Sequence, residues 1–371
     1  MEYLVALSLS LAFAFAGLAA FLCLLLYFDL SPKTALNRIV RRFAEAPAVS
    51  QLSLSDAPYR RVKPAKNRLP KPTLLNLETS DGSGQAAHPD VVYIPQGFGK
   101  QKWPYWMACT PYPYGNELFE SPEIFASFNG VSWQIPDGAR NPLFALLPIE
   151  GDHRSDPDIV FHQNELWLFF RETLRSKTST ENRIYVTKSA DGKSWAAPIE
   201  ILLDRTGTGL LSPAVVHDGT GFVMWVIEKL NGQFSITRRT SDTGTSWSTQ
   251  KKCNVIGSPN GRTPWHIDVI CENDRLSALI VTCTGTLGEG ARIHYAFSLD
   301  RGETWSIGPF ILEQVYEFEA TLQYRATIRK MREDPAVYEV WYSAANSKNM
   351  WSIAYLQFVR EENLLLPYFD S

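Results

Sequence analysis

A short motif that ends in tryptophan occurs four times in this chain of 371 residues. Its full form, Ser-x-Asp-x-Gly-x-Thr-Trp, runs from Ser298 to Trp305, and shorter or degenerate copies lie at 127–133, 189–195 and 241–247. In such a segment the Asp or Asn side chain accepts hydrogen bonds from the backbone, Gly adopts a positive φ and Trp folds back over the turn. The motif therefore predicts four hairpin turns with a structural role.

A second repeat precedes each of these turns by about 30 to 45 residues. It is a short strand of mainly Val and Ile that opens with a polar or acidic pair, and a second strand follows each copy, in most cases rich in aromatic residues. The openings are His88-Pro-Asp90, Asp156-Pro-Asp158, Ser212-Pro-Ala214, His266-Ile-Asp268 and, more loosely, Glu317-Phe-Glu319. Five openings, five second strands and four turns predict an all-β fold, a five-bladed β-propeller whose sheets surround a channel.

The first 30 residues differ from the rest of the chain. No charged residue occurs from position 3 to position 28, which is long enough for a helix to cross a bilayer. The run is too long for a signal peptide and lacks its basic start. The sequence therefore predicts a single N-terminal transmembrane helix in residues 1–30. We expect residues 31–86, with six prolines, to form a basic linker and residues 87–371 to form the propeller.

The charges on the two sides of this boundary have opposite sign. Residues 1–86 have a net charge of +4 and the remainder has −7. An acidic main domain argues against nucleic-acid binding, because phosphate contacts need a basic face. Lys33, Arg38, Arg41 and Arg42 follow the apolar run, so the positive-inside rule places the large domain in the cytoplasm. The absence of an Asn-x-Ser/Thr sequon favours a bacterial source.

The starts of the inner strands converge on one mouth of the channel, so their polar residues form a ring. Its predicted members are His88, Asp90, Asp156, Asp158, Ser212, His266, Asp268, Glu317 and Glu319. Crowded carboxyl groups cannot all ionise readily, and a raised pKa is what a general acid needs. The ring is therefore the candidate functional site. The alternative is that Asp-Pro and His-Pro only close turns between blades.

The Asp-Pro openings, the five-blade count and the Trp turns together resemble the five-bladed glycoside hydrolases of families 43, 32 and 117 over about residues 87–360. The turns themselves resemble the Asp-boxes of sialidases. This resemblance implies hydrolysis of a polysaccharide or oligosaccharide by general acid/base catalysis. It implies that Asp90 is the base, and that Asp158 (or Asp156) orients the acid and tunes its pKa. Such enzymes usually work outside the cytoplasm, which conflicts with the charge rule and leaves the membrane face open.

The third position departs from the family pattern. Family 43 places its acid on the third blade, where this chain has Ser212-Pro-Ala214. Glu319, Glu317 or His266 could supply the proton instead. Resemblance to family 117 implies a precedent for a His in that role. We therefore list Asp90, Asp158, Glu319 and His266 as catalytic candidates.

Other residues are expected to contact the sugar. The substrate-binding candidates are His88, Asp156, Asp268, Arg171, Glu317, Arg325 and Tyr112, the last because aromatic faces stack on sugar rings. A sialidase could use Arg171, Arg262 and Arg325, but the Arg-Ile-Pro motif is missing. No cofactor is expected, although the channel residues also admit a structural Ca²⁺.

A second function is consistent with the same pattern. Ala214 at the usual acid position favours a non-catalytic glycan-binding propeller in a membrane-bound polysaccharide assembly. In either case the expected partners are carbohydrate, the lipid bilayer and proteins of polysaccharide biosynthesis.

Overall fold

The computed structural model describes residues 70–207, 209–257, 259–285 and 288–368. All of them belong to one unit, Lys63–Ser371. The predicted transmembrane helix and most of the predicted linker lie outside the described residues. Within the described ranges, no helix is both long enough and apolar enough to cross a membrane.

Five sheets follow one another along the chain, in the order that the repeats predict. A first short strand, β1 (Thr73–Leu74), joins the last sheet. Blade 1 contains β2 (Ala86–Phe98), β3 (Trp103–Pro111), β4 (Glu123–Ser127) and β5 (Trp133–Gln134). Blade 2 contains β6 (His153–His162), β7 (Glu165–Arg175), β8 (Thr180–Ser189) and β9 (Ile199–Asp204). Blade 3 contains β10 (Leu211–His217), β11 (Phe222–Leu230), β12 (Gln233–Ser241) and β13 (Lys251–Lys252).

The last two blades each have a fifth strand. Blade 4 contains β14 (Asn254–Ile256), β15 (Thr263–Cys271), β16 (Leu276–Cys283), β17 (Arg292–Ser298) and β18 (Thr304–Phe310), with β14 parallel to β18 at the outer edge. Blade 5 contains β19 (Leu322–Arg332), β20 (Val337–Ala345), β21 (Trp351–Glu361), β22 (Leu364–Pro367) and β1. Three short 3-10 turns lie at Pro113–Gly115, Glu117–Phe119 and Glu317–Glu319.

The inner strands form a closed ring. Each of β2, β6, β10 and β15 contacts the inner strand of the next blade, and β19 contacts β2. Apolar side chains fill the spaces between the sheets, including the buried Trp106, Trp225 and Trp341. The prediction of an all-β, five-bladed propeller is confirmed.

Both ends of the described chain meet in blade 5. Thr73 pairs with Tyr355, and Phe358 of the same strand β21 pairs with Pro367. Leu75 and Leu77 are buried in the adjoining core cluster. The propeller therefore includes residues 73–77, which were predicted to be linker, because this segment supplies a strand to the last blade.

Three of the four Trp turns have the predicted Asp or Asn acceptor, and in the turn at 241–247 Thr243 Oγ1 accepts the bonds instead. In blade 2, Asp191 Oδ1 accepts hydrogen bonds from the N–H groups of Lys193 (2.9 Å) and Ser194 (2.8 Å), and Gly192 has a φ of 77°. The structure adds a contact between blades. A Cβ at Gly192 would lie 2.2 Å from the ring of Trp106, which comes from the second strand of blade 1.

Three other turns receive a Trp from the preceding blade in the same way. Trp225 Nε1 donates to the carbonyl of Gly302 (3.0 Å) and Trp341 Nε1 to that of Gly130 (2.7 Å). The ring of Trp167 lies against Gly244. Each such turn therefore holds two neighbouring blades together.

The fifth opening was predicted at the wrong place. Glu317–Glu319 is a 3-10 turn, and the inner strand of blade 5 begins only at Leu322. The residues of that strand that match the polar pairs of the other blades are Arg325 and Thr327.

Candidate functional site

The polar pairs of the inner strands occupy two depths in the channel. In each inner strand, the register with the second strand shifts at the pair, as in a β-bulge. His88, Asp156 and Ser212 have positive φ values of 56°, 52° and 51° there. The first members of three pairs form one group, called here the upper cluster, and the second members form another, the lower cluster.

The upper cluster consists of His88, Asp156 and His266, from blades 1, 2 and 4. One donor atom of each residue lies within 4.8 Å of the others. Asp156 Oδ1 is 3.6 Å from His88 Nε2 and 3.4 Å from His266 Nδ1. All three residues are buried, with at most 4% of their surface exposed. The sequence prediction thus named all three, and the fold brings them together.

Glu120 and Thr110 fix the orientation of the His88 ring. His88 Nδ1 lies 3.0 Å from Glu120 Oε1 and 3.0 Å from Thr110 Oγ1. A carboxylate at this position favours the tautomer with its proton on Nδ1. The other nitrogen, Nε2, is then an acceptor that faces Asp156.

Two arginines stand beside Asp156. Arg171 Nε is 2.9 Å from Asp156 Oδ2, and Arg325 Nη1 is 3.8 Å from Oδ1. Burial alone would raise the pKa of the Asp156 carboxyl, but Arg171 first, and then His88, His266 and Arg325, hold that pKa well below its usual range. Burial lowers the pKa of His266, so its ring is neutral at pH 7. The cluster therefore combines a permanent carboxylate with neutral imidazole.

Several buried polar atoms of the upper cluster make no hydrogen bond within the described residues. They are Asp156 Oδ1 and both ring nitrogens of His266, and, beside the cluster, Nε and Nη1 of Arg325. Asp156 Oδ2 and Arg171 Nε pair with each other at 2.9 Å. Buried polar atoms are rarely left in this state, and an ion or water is a common explanation. The upper cluster thus has buried polar atoms that its own side chains leave without hydrogen bonds.

The lower cluster consists of Asp90, Asp158 and Asp268, whose donor atoms also lie within 4.8 Å of one another. Each carboxylate accepts a hydrogen bond from the backbone of the next inner strand. These bonds are Asp90 to Ile159 N (2.6 Å), Asp158 to Val215 N (3.1 Å) and Asp268 to Ile328 N (2.8 Å). The three carboxylates therefore link neighbouring blades.

Two hydroxyl groups complete these links around the channel. Thr327 Oγ1 accepts from Val91 N (3.3 Å) and joins blade 5 to blade 1. Ser212 Oγ accepts from Ile267 N (3.2 Å) and joins blade 3 to blade 4, where Ala214 has no polar side chain. Five side-chain-to-backbone bonds thus close the ring.

The lower cluster opens on a cavity of about 300 Å³, walled mainly by Val and Ile side chains. Burial, followed by repulsion from Asp90, raises the pKa of Asp158 and Asp268, and that of Asp268 to about 8. Burial also raises the pKa of Asp90 although Arg325 opposes it. Raised pKa values were expected for the ring, and they occur in this deeper layer.

The fold takes two predicted site residues away from the channel. Glu319 Oε2 accepts from Gln323 Nε2 (2.9 Å) and Tyr342 OH (3.1 Å), beside the 3-10 turn. Glu317 is exposed. The reason is the later start of β19, which puts Arg325 at the inner position, between Asp156 and Asp158.

An aromatic wall borders the upper cluster on the side of blades 1, 4 and 5. The Tyr324 ring centre lies 4.4 Å from that of His266 and 5.5 Å from that of His88. Tyr112 lies 6.1 Å from His88 and 4.8 Å from Trp351, in ring-centre distances. Tyr112 was predicted at the site. Trp351 and Glu120 were not, because neither belongs to a repeat.

Comparison with known proteins gives relatives at low identity. No protein-family model matches the chain. A curated protein of Flavonifractor plautii, the A type blood N-acetyl-α-D-galactosamine deacetylase, is 24% identical over 272 residues, which is 62% of this chain and 35% of that protein. The chain therefore spans about a third of the length of this relative.

Solved structures share the fold over most of the chain. An N-acetylgalactosamine deacetylase from F. plautii, in complex with blood group B trisaccharide, matches with a TM-score of 0.69 at 20% identity, covering 78% of this chain and 94% of that one. A thermostable family-43 glycoside hydrolase matches with 0.58 at 12% identity, covering 77% and 94%. Xylan β-1,4-xylosidase from Bacillus halodurans C-125 matches with 0.58 at 13% identity, covering 81% and 56%. The predicted resemblance to family 43 is confirmed for the fold.

Proposed function

We propose that this protein is a carbohydrate-active hydrolase with its reaction centre at the upper cluster, and that a divalent metal ion bound by His88, Asp156 and His266 assists the reaction. The proposed reaction is removal of an acyl group from an amino sugar. The observation that carries the proposal is the convergence of buried ligand atoms: Asp156 Oδ1 has no hydrogen bond within the described residues and lies 3.6 and 3.4 Å from a ring nitrogen of His88 and of His266. A divalent cation is a group that such a set of ligand atoms can bind.

The donor set fits a metal ion of a particular kind. Two imidazole nitrogens and one carboxylate are typical ligands of zinc, iron or manganese, whereas calcium prefers oxygen ligands alone. This changes the expected cation from the calcium that the sequence suggested. The contact between Glu120 and His88 Nδ1 is the outer support that metal-bound histidines usually have. The charges of Arg171 and Arg325 oppose a cation, so we expect moderate affinity.

A metal ion at this position would polarise the acyl carbonyl and activate water. The protein's own residues have separate tasks. Glu120 contacts His88 Nδ1 and would hold the ring with Nε2 toward the bound group, so it is a positioning residue. The aromatic wall with Tyr112 and Tyr324 would hold a sugar ring by its apolar face. Water then adds to the carbonyl carbon, the C–N bond breaks, and an amine and a carboxylic acid are released.

The name of the F. plautii relative supports this reaction over glycoside cleavage. The geometry gives separate support. Hydrolysis of a glycosidic bond needs two carboxyl groups on either side of that bond. Here the predicted base Asp90 and its partner Asp158 accept bonds from neighbouring strands in the deeper layer. The predicted acid Glu319 lies outside both clusters.

A glycosidase remains the second candidate, because Asp90, Asp158 and Asp268 have the raised pKa values of general acids and the fold is that of family-43 enzymes. In that reaction Asp90, Asp158 and His266 keep their predicted catalytic roles. A non-catalytic glycan-binding propeller is the third, and it predicts binding without turnover.

One experiment separates these functions. The purified protein is incubated with N-acetylated sugars, to measure acetate, and with aryl glycosides, to measure the released phenol. We expect acetate release that stops with a chelator, returns with Zn²⁺ or Mn²⁺, and is lost in Asp156→Asn and His266→Gln. Phenol release that a chelator does not affect, and that is lost in Asp90→Asn, would establish the glycosidase instead.

We also propose that residues 1–30 anchor the protein in a membrane as a single helix. The uncharged run from 3 to 28 supports it, and association with proteins of polysaccharide biosynthesis would follow from that location. Reporter fusions at the C-terminus test which side holds the propeller. A reporter signal in the soluble fraction alone would contradict the anchor.

A further inference from the structure

Tyr114 is an exposed aromatic residue next to the aromatic wall that borders the upper cluster. It lies in the 3-10 turn Pro113–Gly115, two residues after Tyr112, whose ring faces His88. The side chain of Tyr114 is 60% exposed. Single exposed aromatic residues are common on protein surfaces, so exposure alone does not identify a site.

The backbone of Tyr114 distinguishes it from an ordinary surface residue. Its φ of 53° and ψ of 30° are left-handed, a conformation that is unfavourable for a residue with a side chain. Two hydrogen bonds keep it there. Tyr114 N donates to Gln85 Oε1 (3.1 Å), and Asn349 Nδ2 donates to Tyr114 O (2.5 Å).

The neighbouring glycine adds a third constraint. Gly115 has a φ of 74°, and a Cβ there would lie 2.5 Å from Asn349 Nδ2. The turn is therefore held against blade 5 at close range. Strained backbone that several contacts maintain is found most often at functional sites.

The groups that hold Tyr114 also hold the aromatic wall. Gln85 Oε1 accepts a second hydrogen bond from Trp351 N (3.0 Å), and Asn349 Oδ1 accepts from Trp351 Nε1 (3.1 Å). The Trp351 ring in turn contacts Tyr112 and Tyr324, at ring-centre distances of 4.8 and 5.2 Å. The backbone that carries the exposed ring is thus held against the aromatic wall.

We propose that Tyr114 is a binding platform for a second sugar ring, next to the one that reacts, and that the substrate is therefore an oligosaccharide or polysaccharide and not a free monosaccharide. The apolar face of a pyranose would lie on the tyrosine ring. On this proposal the left-handed turn serves to present the tyrosine ring to the second sugar. This inference rests on the proposed function, whose substrate class it narrows.

Blade 1 offers a matched control for the test. Phe128 is 61% exposed and follows β4, whose end pairs with the start of β3. It therefore lies at the opposite end of the blade from Tyr114. The effect of losing Tyr114 can thereby be distinguished from a general effect of losing an exposed aromatic residue.

The experiment begins with the full-length protein on an array of N-acetylated and non-acetylated glycans. The oligosaccharide that binds best and its terminal monosaccharide are then titrated against Tyr114→Ala, Tyr114→Phe, Tyr114→Gly and Phe128→Ala. We expect Tyr114→Ala and Tyr114→Gly to weaken oligosaccharide binding about three- to tenfold. Monosaccharide binding stays unchanged, and Tyr114→Phe and Phe128→Ala behave as the wild type.

Stability gives a second readout. Glycine tolerates the left-handed conformation, so the urea midpoint of Tyr114→Gly should be no lower than that of the wild type although its oligosaccharide binding is weaker. Equal oligosaccharide binding by Tyr114→Ala and the wild type would overturn the inference and leave the proposed function intact. Equal weakening for both ligands would also overturn it. A wild-type protein that binds no glycan on the array would refute the proposed function itself.

Discussion

Substitution of Gly302 by alanine tests whether the Trp turns hold the blades together. Gly302 has a φ of 79°, and a Cβ there would lie 2.2 Å from Cζ2 of Trp225 in the preceding blade. Trp225 is fully buried and its Nε1 already bonds to the Gly302 carbonyl, so its ring has no free space. We expect Gly302→Ala to destabilise the protein through two separate effects.

The two effects can be given sizes. A left-handed backbone costs an alanine about 1–2 kcal/mol relative to glycine. Forcing an extra methyl group into a packed site adds about 1–3 kcal/mol. Gly219 provides the control, because its φ is 90° but an added Cβ would meet nothing within 4 Å. Gly219→Ala should therefore lose only the backbone part.

Urea unfolding followed by tryptophan fluorescence measures the difference. With a denaturant slope of about 3 kcal/mol per molar urea, the extra loss corresponds to a midpoint about 0.3–1 M lower for Gly302→Ala than for Gly219→Ala. Equal midpoints for the two variants would refute the idea that the Trp225 contact fixes the turn.

Three further outcomes follow from the structure. Burial raises the pKa of Glu123 to about 7, so the stability of the wild type should fall as pH rises from about 4.5 to 7. The variant Glu123→Gln should be as stable as the wild type at pH 4.5 and more stable by about 1–3 kcal/mol at pH 8. Parallel curves of urea midpoint against pH for the two proteins would contradict this. Thr327→Val removes the bond that joins blade 5 to blade 1 and should cost about 1 kcal/mol, whereas an unchanged midpoint would show that the link contributes nothing. Chelation should lower the melting temperature if the upper cluster binds a metal ion, and the fall should be absent in His266→Gln.

The fold could be predicted from the sequence because its signals are local. Each Trp turn needs only its own seven or eight residues, as the bonds from Asp191 to Lys193 and Ser194 illustrate. The partner of each turn could not be predicted in the same way. Trp225 and Gly302 are far apart in sequence and meet only because blade 3 lies beside blade 4.

Most residues of the candidate site were predicted from the sequence, but their division into two layers of the channel was not. Residues two apart on a strand face the same side, yet they lie about 6.5 Å apart along it. His88 and Asp90 therefore lie in different layers, although both were predicted to belong to one ring. Glu120 lies in a loop without repeats, so only the tertiary structure brings it to His88.

The fifth blade shows a different limit. Its opening was predicted at the acidic residues Glu317 and Glu319. The strand in fact starts later and places Arg325 and Thr327 in the channel. Arg325 occupies the inner position between carboxylates and balances their charge, but an arginine does not fit the acidic pattern on which the prediction depended.

The pairing of both chain ends with β21 has a consequence for synthesis. Thr73 and its partner Tyr355 are about 280 residues apart. At about 5–20 residues per second, a ribosome needs roughly 15–60 s to make the partner after the first strand has emerged. During that time blade 1 lacks blade 5 as its neighbour, and Trp341 is not yet present to bond to the Gly130 carbonyl of its Trp turn. We therefore expect the nascent propeller to remain open, with an unpaired face, until its last strands leave the ribosome.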